Sequence, residues 1–252
     1  MPSPYEGSPE TEWKNITQRL IEAHPLQISQ IRDVALLSWQ NLWDTRIGSG
    51  KTSISIREAN PPATVIGYFF ERLFARQLEI ATSGAWRGGR GNDKDLVFES
   101  DQAFSIEMKG SGQLGLKIFG NRSYGQALSS SDLAKKDKSG YYITFNFFGD
   151  ILCLLRFGWI DGTDWQAQAS ATGQMAGLPL RVYQHKLVPI KGEYARCAPA
   201  ALLPGIGPAK AQALQLMDII SVNDVLSRRS ELARPMNSVV SAAETYVELY
   251  CH

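Results

Sequence analysis

The apolar periodicity of this chain breaks once, sharply, and the break decides its fold class. Up to residue 82 apolar side chains recur at helical spacing. Trp13, Ile16, Leu20 and Ile21 do so within 11–24, and Ile28, Ile31, Val34, Ala35, Leu37 and Trp39 within 26–43. Phe69, Phe70, Leu73, Phe74 and Leu78 do so within 61–82, whose opening prolines suit a helix start. Then comes SGAWRGGRGND, ending at Asp93, too rich in glycine to hold a helix. Short β-rich segments follow at 95–99, 103–109, 114–119, 141–147, 150–157 and 180–189. A helix is predicted over 123–137, and 165–177 is a candidate for another. Helices flanking a short mixed sheet imply an α/β or α+β core. Residues 1–10 read as a disordered lead-in and 44–60 as a loop.

After KGEYARCAP only helical patterns remain, from 198 to 250. A boundary near 192–197 is therefore expected. It gives a first domain over 1–195, with a helical part at 11–82 and an α/β core at 84–190, and a small all-α domain over 196–252.

Composition bounds the function less tightly. A net charge of +1 neither announces a nucleic-acid binder nor excludes one, because a local basic cleft is enough. Cys153, Cys197 and Cys251 make no CxxC pair, which suits inert thiols in a reducing cytoplasm. His24, His185 and His252 are too scattered for a zinc site. The N-terminus lacks the order of a signal peptide, and no apolar run is long enough to span a membrane, so a cytoplasmic protein is expected.

The chemistry concentrates in NDKDLVFESDQAFSIEMKG, residues 92–110. If 103–109 is a strand, Phe104, Ile106 and Met108 share one face and Ser105, Glu107 and Lys109 the other. A three-residue connection, Ser100 to Gln102, sets Asp95 opposite Glu107. A two-residue turn would send the aspartate to the wrong face. Two carboxylates with a lysine suit phosphodiester hydrolysis: hard oxygen ligands hold Mg²⁺, which polarises the phosphate, and the lysine orients or deprotonates water. On charge alone a solvated hairpin face is the simpler reading. Context favours a site, because the carboxylates edge strongly apolar strands behind a glycine-rich loop.

Asp95-Leu-Val-Phe followed by Ser105-Ile-Glu107-Met-Lys109 resembles the PD-(D/E)xK nuclease core. The resemblance implies a mixed sheet flanked by helices, with Asp95 and Glu107 as Mg²⁺ ligands, Mn²⁺ as a possible substitute, and Lys109 serving the water. Lys94 stands where the family has proline, and Asp93 is a rival ligand. Members often add a glutamate from the preceding helix, which Glu71 in GYFFE matches. Further on, Gly120-Asn121-Arg122-Ser123-Tyr124 resembles segments of some type II restriction endonucleases. Asn121, Arg122, Ser123, Tyr124 and Gln126 are side chains suited to base edges and phosphates. Ser123 as a helix cap is an equally good reading. Arg87 and Arg90 are candidate phosphate contacts, or a solvated loop.

In AALLPGIGPAKAQAL, residues 200–214, apolar residues end one helix, Pro-Gly-Ile-Gly turns, and Pro208 starts the next. Gly205 and Gly207 permit backbone shapes that side chains forbid. The amides at the helix start, through Ala209, form an anion site that Lys210 can reinforce, while Ile206 plugs the space between helices. This resembles the helix-hairpin-helix DNA-binding motif, and MDIISVNDVLS resembles its usual continuation. Arg228 and Arg229 would extend the contact or be surface charge.

IGSGKTS does not make a phosphate-binding loop, because Thr45 stands where the pattern needs glycine and helix precedes it. No nucleotide cofactor is therefore expected. Arg46 and Lys51 remain possible DNA contacts. The expected protein is a Mg²⁺-dependent type II restriction endonuclease acting on double-stranded DNA, working as a homodimer and paired genetically with a cognate methyltransferase. A structure-selective repair or junction nuclease is the alternative enzyme, and a non-catalytic helix-hairpin-helix DNA-binding protein the alternative of another class.

Overall fold

A computed structural model of the protein describes residues 2–121, 138–167, 175–232 and 236–252, with the side chain of Asn121 left out. Two helices open it, α1 (Glu10–Glu22) and α2 (Ile28–Trp43). The segment read as a loop holds a two-stranded hairpin, β1 (Arg46–Ile47) and β2 (Ile54–Ser55), and a single-turn helix α3 (Ile56–Ala59). Helix α4 (Ala63–Ala81) follows. Ile66, Phe70, Phe74 and Leu78 recur every fourth residue along it, and this buried stripe packs on the sheet. The rings of Phe70 and Phe145 meet at 4.7 Å.

The strands are β3 (Trp86–Gly88), β4 (Leu96–Phe98), β5 (Ile106–Ser111), β6 (Phe119–Asn121), β7 (Gly140–Phe148), β8 (Ile151–Ile160), β9 (Gln166–Ala167), β10 (Met175–Gly177) and β11 (Leu187–Pro189), with helix α5 (Leu180–His185) before the last. Six of them form one mixed sheet in the order β11-β8-β7-β5-β4-β3. Only β5 and β7 pair in parallel; their neighbours are antiparallel. A small sheet, β6-β10-β9, stands apart. The mixed sheet flanked by helices matches the fold class expected from the sequence.

Besides the hairpin and helix within 44–60, local expectations fail at four further places. Residues 180–189 alternate like a strand, but Pro179 precedes a helical turn that buries Val182, and strand begins only at Leu187. Residues 165–177 contain strands β9 and β10 rather than a helix over the described part. The segment 114–119 is not a strand until Phe119. There the chain is held by side chains instead. The buried Arg156 donates to Asn146 Oδ1 at 2.9 Å and to the Leu116 carbonyl, Asn146 donates to the Lys117 carbonyl, and the Ile118 N–H donates to Tyr183. Fourth, the N-terminal lead-in is ordered. Tyr5 is buried, and its ring and that of Trp13 cover the ammonium of Lys186 at 4.3 and 4.4 Å. The helix predicted over 123–137 lies outside the described residues.

The C-terminal helices are α6 (Pro208–Leu216), α7 (Val222–Ser227) and α8 (Asn237–Tyr250). They enclose a second core around Leu214, Val222, Val225, Val239 and Tyr246. That core includes Cys153 of β8, whose carbonyl accepts from the Tyr246 hydroxyl at 3.0 Å. No helix among the described residues is long and apolar enough to cross a membrane.

Candidate active site

The hairpin of β4 and β5 is anchored from behind by His24. Its Nε2 donates to the Phe104 carbonyl at 3.0 Å, and its Nδ1 accepts from the Leu26 amide at 3.1 Å. This requires a neutral ring, and burial among aromatic rings pushes its pKa down.

In front, Leu96 pairs with Ile106, the register that sets Asp95 across from Glu107. The connection is longer than the three residues expected. It runs from Glu99 to Ser105 around a 3₁₀ turn, Gln102–Phe104, capped by Asp101, so the strand starts only at Ile106 and Phe104 stands in the turn. Its odd length still keeps Asp95 on the face of Glu107. The pairing of β4 with β5 stops there. The next amide on that edge of β5, Met108 N–H, donates to Asp95 Oδ2 at 2.7 Å. Asp95 is thus held by the sheet edge. On its other side the Gly89 amide donates to the Asp95 carbonyl at 2.9 Å. A Cβ at Gly89 would run into the Lys94 carbonyl, so this approach requires glycine. Lys94 replaces the family proline and ties its ammonium to the Ser139 carbonyl at 2.8 Å, just before β7.

Glu107 is buried, and Lys109 donates to its Oε1 at 2.8 Å. Glu71 reaches the same place from α4. Its burial and, next, the Asp95 carboxylate push its pKa up to about 7, with Glu107 adding to the rise and Lys109 opposing it. For Lys109, burial would lower the pKa, but Glu107 and Asp95 outweigh it and hold the ammonium charged. Glu71, Asp95, Glu107 and Lys109 therefore share one electrostatic cluster, in which three carboxyls face the Lys109 ammonium, with Arg72 adding a weaker influence on Glu71. Among the described residues no three or more acidic, histidine or cysteine side chains stand ready-grouped as an ion site. The donors are nonetheless hard oxygens, and the cluster has an excess of negative charge. Both fit a divalent cation of the Mg²⁺ type.

The raised pKa has a consequence for stability. The glutamate's folded pKa lies above its unfolded value of 4.5, so its contribution is fully present below pH 4.5 and is lost as pH rises towards 7. In metal-free protein, Glu71→Gln is expected to raise thermal stability at pH 8, by about 1–2 kcal/mol allowing for solvent screening, and to change little at pH 4.5. Melting curves at both values check it; an equal effect at both would exclude the charge cluster as its cause.

The other candidates divide. Arg87 is held by Glu99 and by Asp93, whose Oδ2 lies 2.8 Å away, which also ties the rival carboxylate Asp93 to the loop. Arg90 is exposed on the same loop. Asn121 closes β6, and its side chain lies outside the described residues, as do Arg122, Ser123, Tyr124 and Gln126. In the C-terminal motif, Gly205 has φ +78°, Gly207 caps α6, and Pro208 is its first residue. Ala209 is exposed in the first turn, Ile206 packs against the second core, and Lys210 donates to the Gly205 carbonyl at 3.3 Å. The helix expected before the turn is only a 3₁₀ turn, Ala200–Leu202. Pro199 and Pro204 bracket it too tightly for more, and the Ala200 amide bonds across to the Ile220 carbonyl instead. Arg228 forms a two-bond pair with Glu231, at 2.9 and 2.6 Å.

Sequence reasoning missed Tyr68, one turn before Glu71, and Arg72, the residue after it. Tyr68 is 53% exposed, with the Arg72 guanidinium 5.3 Å from its ring centre.

Comparison with known proteins bears on the same region. The family model described as ScaI restriction endonuclease matches residues 3–191. The type II restriction enzyme ScaI of Streptomyces caespitosus is 37% identical over 199 residues, 75% of this chain and 84% of that enzyme. No solved structure matches.

Proposed function

The chain belongs to the ScaI restriction endonuclease family, and from that membership we propose that Glu71, Asp95, Glu107 and Lys109 carry out its hydrolysis of DNA. As a site-specific deoxyribonuclease it cuts phosphodiester bonds of double-stranded DNA at a defined sequence. Enzymes of this type generally use divalent metal ions; we take the ion to be Mg²⁺, with Mn²⁺ able to replace it. When bound, it supplies Lewis-acid polarisation of the scissile phosphate and makes water more acidic.

The observation that carries the assignment is the electrostatic convergence of three carboxyls and one lysine at the edge of β5. In this reading Asp95 and Glu107 hold the ion, and Glu71 joins them once its proton leaves. Asp95 is preferred to Asp93 because its carboxylate belongs to the cluster, whereas Asp93 faces Arg87. Lys109 stays charged. It orients the attacking water and balances negative charge building on the phosphate.

DNA is held, in the same reading, by phosphate contacts at Gly205, Gly207, Ala209 and Lys210, with Ile206 bracing the turn. Arg90, and Arg87 if it leaves its acidic partners, would contact phosphate near the site. Asn121, Arg122, Ser123, Tyr124 and Gln126 would read the target. Residues 196–252 form the DNA-binding module and 1–195 the nuclease. With one site per chain, cutting both strands at a two-fold symmetric target calls for a homodimer. The protein would act in the cytoplasm beside a cognate methyltransferase. A digest of a defined plasmid with Mg²⁺ tests the whole: discrete fragments are expected, and cutting confined to flaps or junctions would overturn sequence-specific action.

A further inference from the structure

Two clefts open on either side of Glu71. One, of about 450 Å³, runs between α4 and the small sheet, past Thr64, Gly67, Tyr68, Lys109 and Gln113. Among the described residues its lining is uncharged apart from Glu71 and Lys109, and glycines at 110 and 112 leave bare backbone along the β5 side. The other, about 110 Å³, is lined by Glu71, Asp93, Asp95, Arg72, Lys94 and the glycine loop at 89 and 91. The first is mostly neutral with an aromatic wall, and the second is charged, with Arg72 and Lys94 set among the carboxyls of Glu71, Asp93 and Asp95. A polynucleotide strand has that alternation: flat apolar bases on one side of a phosphate, charge at the phosphates themselves.

We propose that the cut strand runs through both clefts across Glu71, with Tyr68 packing on the nucleotide beside the scissile phosphate and Arg72 meeting the neighbouring phosphate. This rests on Glu71, Asp95, Glu107 and Lys109 being the reacting site. The Tyr68 ring projects from a rigid helix one turn before Glu71, so its distance from the reacting phosphate is fixed by helix geometry. Arg72 lies against the ring through its guanidinium, which orders the ring before DNA arrives. A protein partner is the lesser fit for this face, since a chain bound in the cleft would cover Glu71 and Lys109.

The test uses the full chain and a duplex carrying a site mapped by plasmid digestion, with 2-aminopurine beside the scissile phosphate. Tyr68→Ala is expected to weaken binding and raise KM by about 10- to 100-fold, and to remove the change in 2-aminopurine quenching that binding of the parent protein causes. Tyr68→Phe should stay within about threefold of the parent, because the ring is kept. Arg72→Ala should lower the dependence of log Kd on log salt by about one. Parental KM and quenching in Tyr68→Ala, with unchanged melting temperature, would overturn the proposal while leaving the nuclease intact. So would unaltered DNA affinity with a changed sedimentation coefficient, which makes Tyr68 a protein interface. Normal cleavage by Glu107→Ala would instead remove the site assignment and this proposal with it.

Discussion

Glu107→Ala and Lys109→Ala should each cut DNA cleavage by about 10³-fold or more while leaving DNA affinity within about threefold. The asymmetry follows from where the two side chains stand. Glu107 is 4% exposed and Lys109 closes over it, so neither presents much surface to DNA in the ground state. Their charge matters when negative charge builds on the phosphate. Removing Lys109 takes away the cation bonded to Glu107 and leaves Arg72 and Lys94 at the margin of the carboxyls, which weakens both water orientation and charge balance. Removing Glu107 deletes a ligand and frees the ammonium to turn towards Asp95. Single-turnover cleavage and binding, measured on the same duplex, separate these terms. Equal loss of both would make the pair structural. Retained cleavage in both would transfer the chemistry elsewhere.

The pair was legible because a strand states its own geometry. Period-two alternation puts Glu107 and Lys109 on one face whatever surrounds them, and a connection of odd length fixes Asp95 by the same rule, although it is longer than the three residues the sequence suggests. Helix α4 was legible for a similar reason: its stripe of phenylalanines has one face to bury, and Glu71 flanks it. What escaped depends on partners distant in sequence. LRVYQHKLVP alternates well enough for a strand, but Pro179 before it, the burial of Val182 and packing against α1 make its first half helical. The segment 114–119 was apolar enough for a strand, but Arg156, Asn146 and Tyr183 bind its backbone in place of a neighbouring strand. Tyr68 and Arg72 read as ordinary helix positions until the clefts beside Glu71 give them something to face. The proline-bearing N-terminus looked disordered because the charge it covers lies about 180 residues away.

That covered charge yields the largest stability effect expected here. Lys186→Met should destabilise the protein by about 3–5 kcal/mol, a fall in melting temperature on the order of 10 °C for a chain of this length. Lys186 is 2% exposed and bridges Asp161 at 2.7 Å and Asp164 at 2.8 Å. The rest of the cluster is closely satisfied. Trp159 Nε1 and Ser3 Oγ each donate to Asp161 at 2.9 Å, and the Asp161 amide donates to Asp164 at 2.9 Å. Methionine keeps most of the volume under the Tyr5 and Trp13 rings, so the loss would come from two buried carboxylates left without a cation rather than from a cavity. Adding Asp161→Asn and Asp164→Asn to Lys186→Met should therefore recover a large part of the loss, about 2 kcal/mol or more, although each asparagine alone in the parent is expected to destabilise. Denaturant unfolding of the parent, the three single variants and the triple variant checks the cycle. If the triple variant is no more stable than Lys186→Met, the cost lies in packing beneath the aromatic roof. If it recovers, the N-terminal segment is held on the sheet by a charge that the opening residues cover but do not carry.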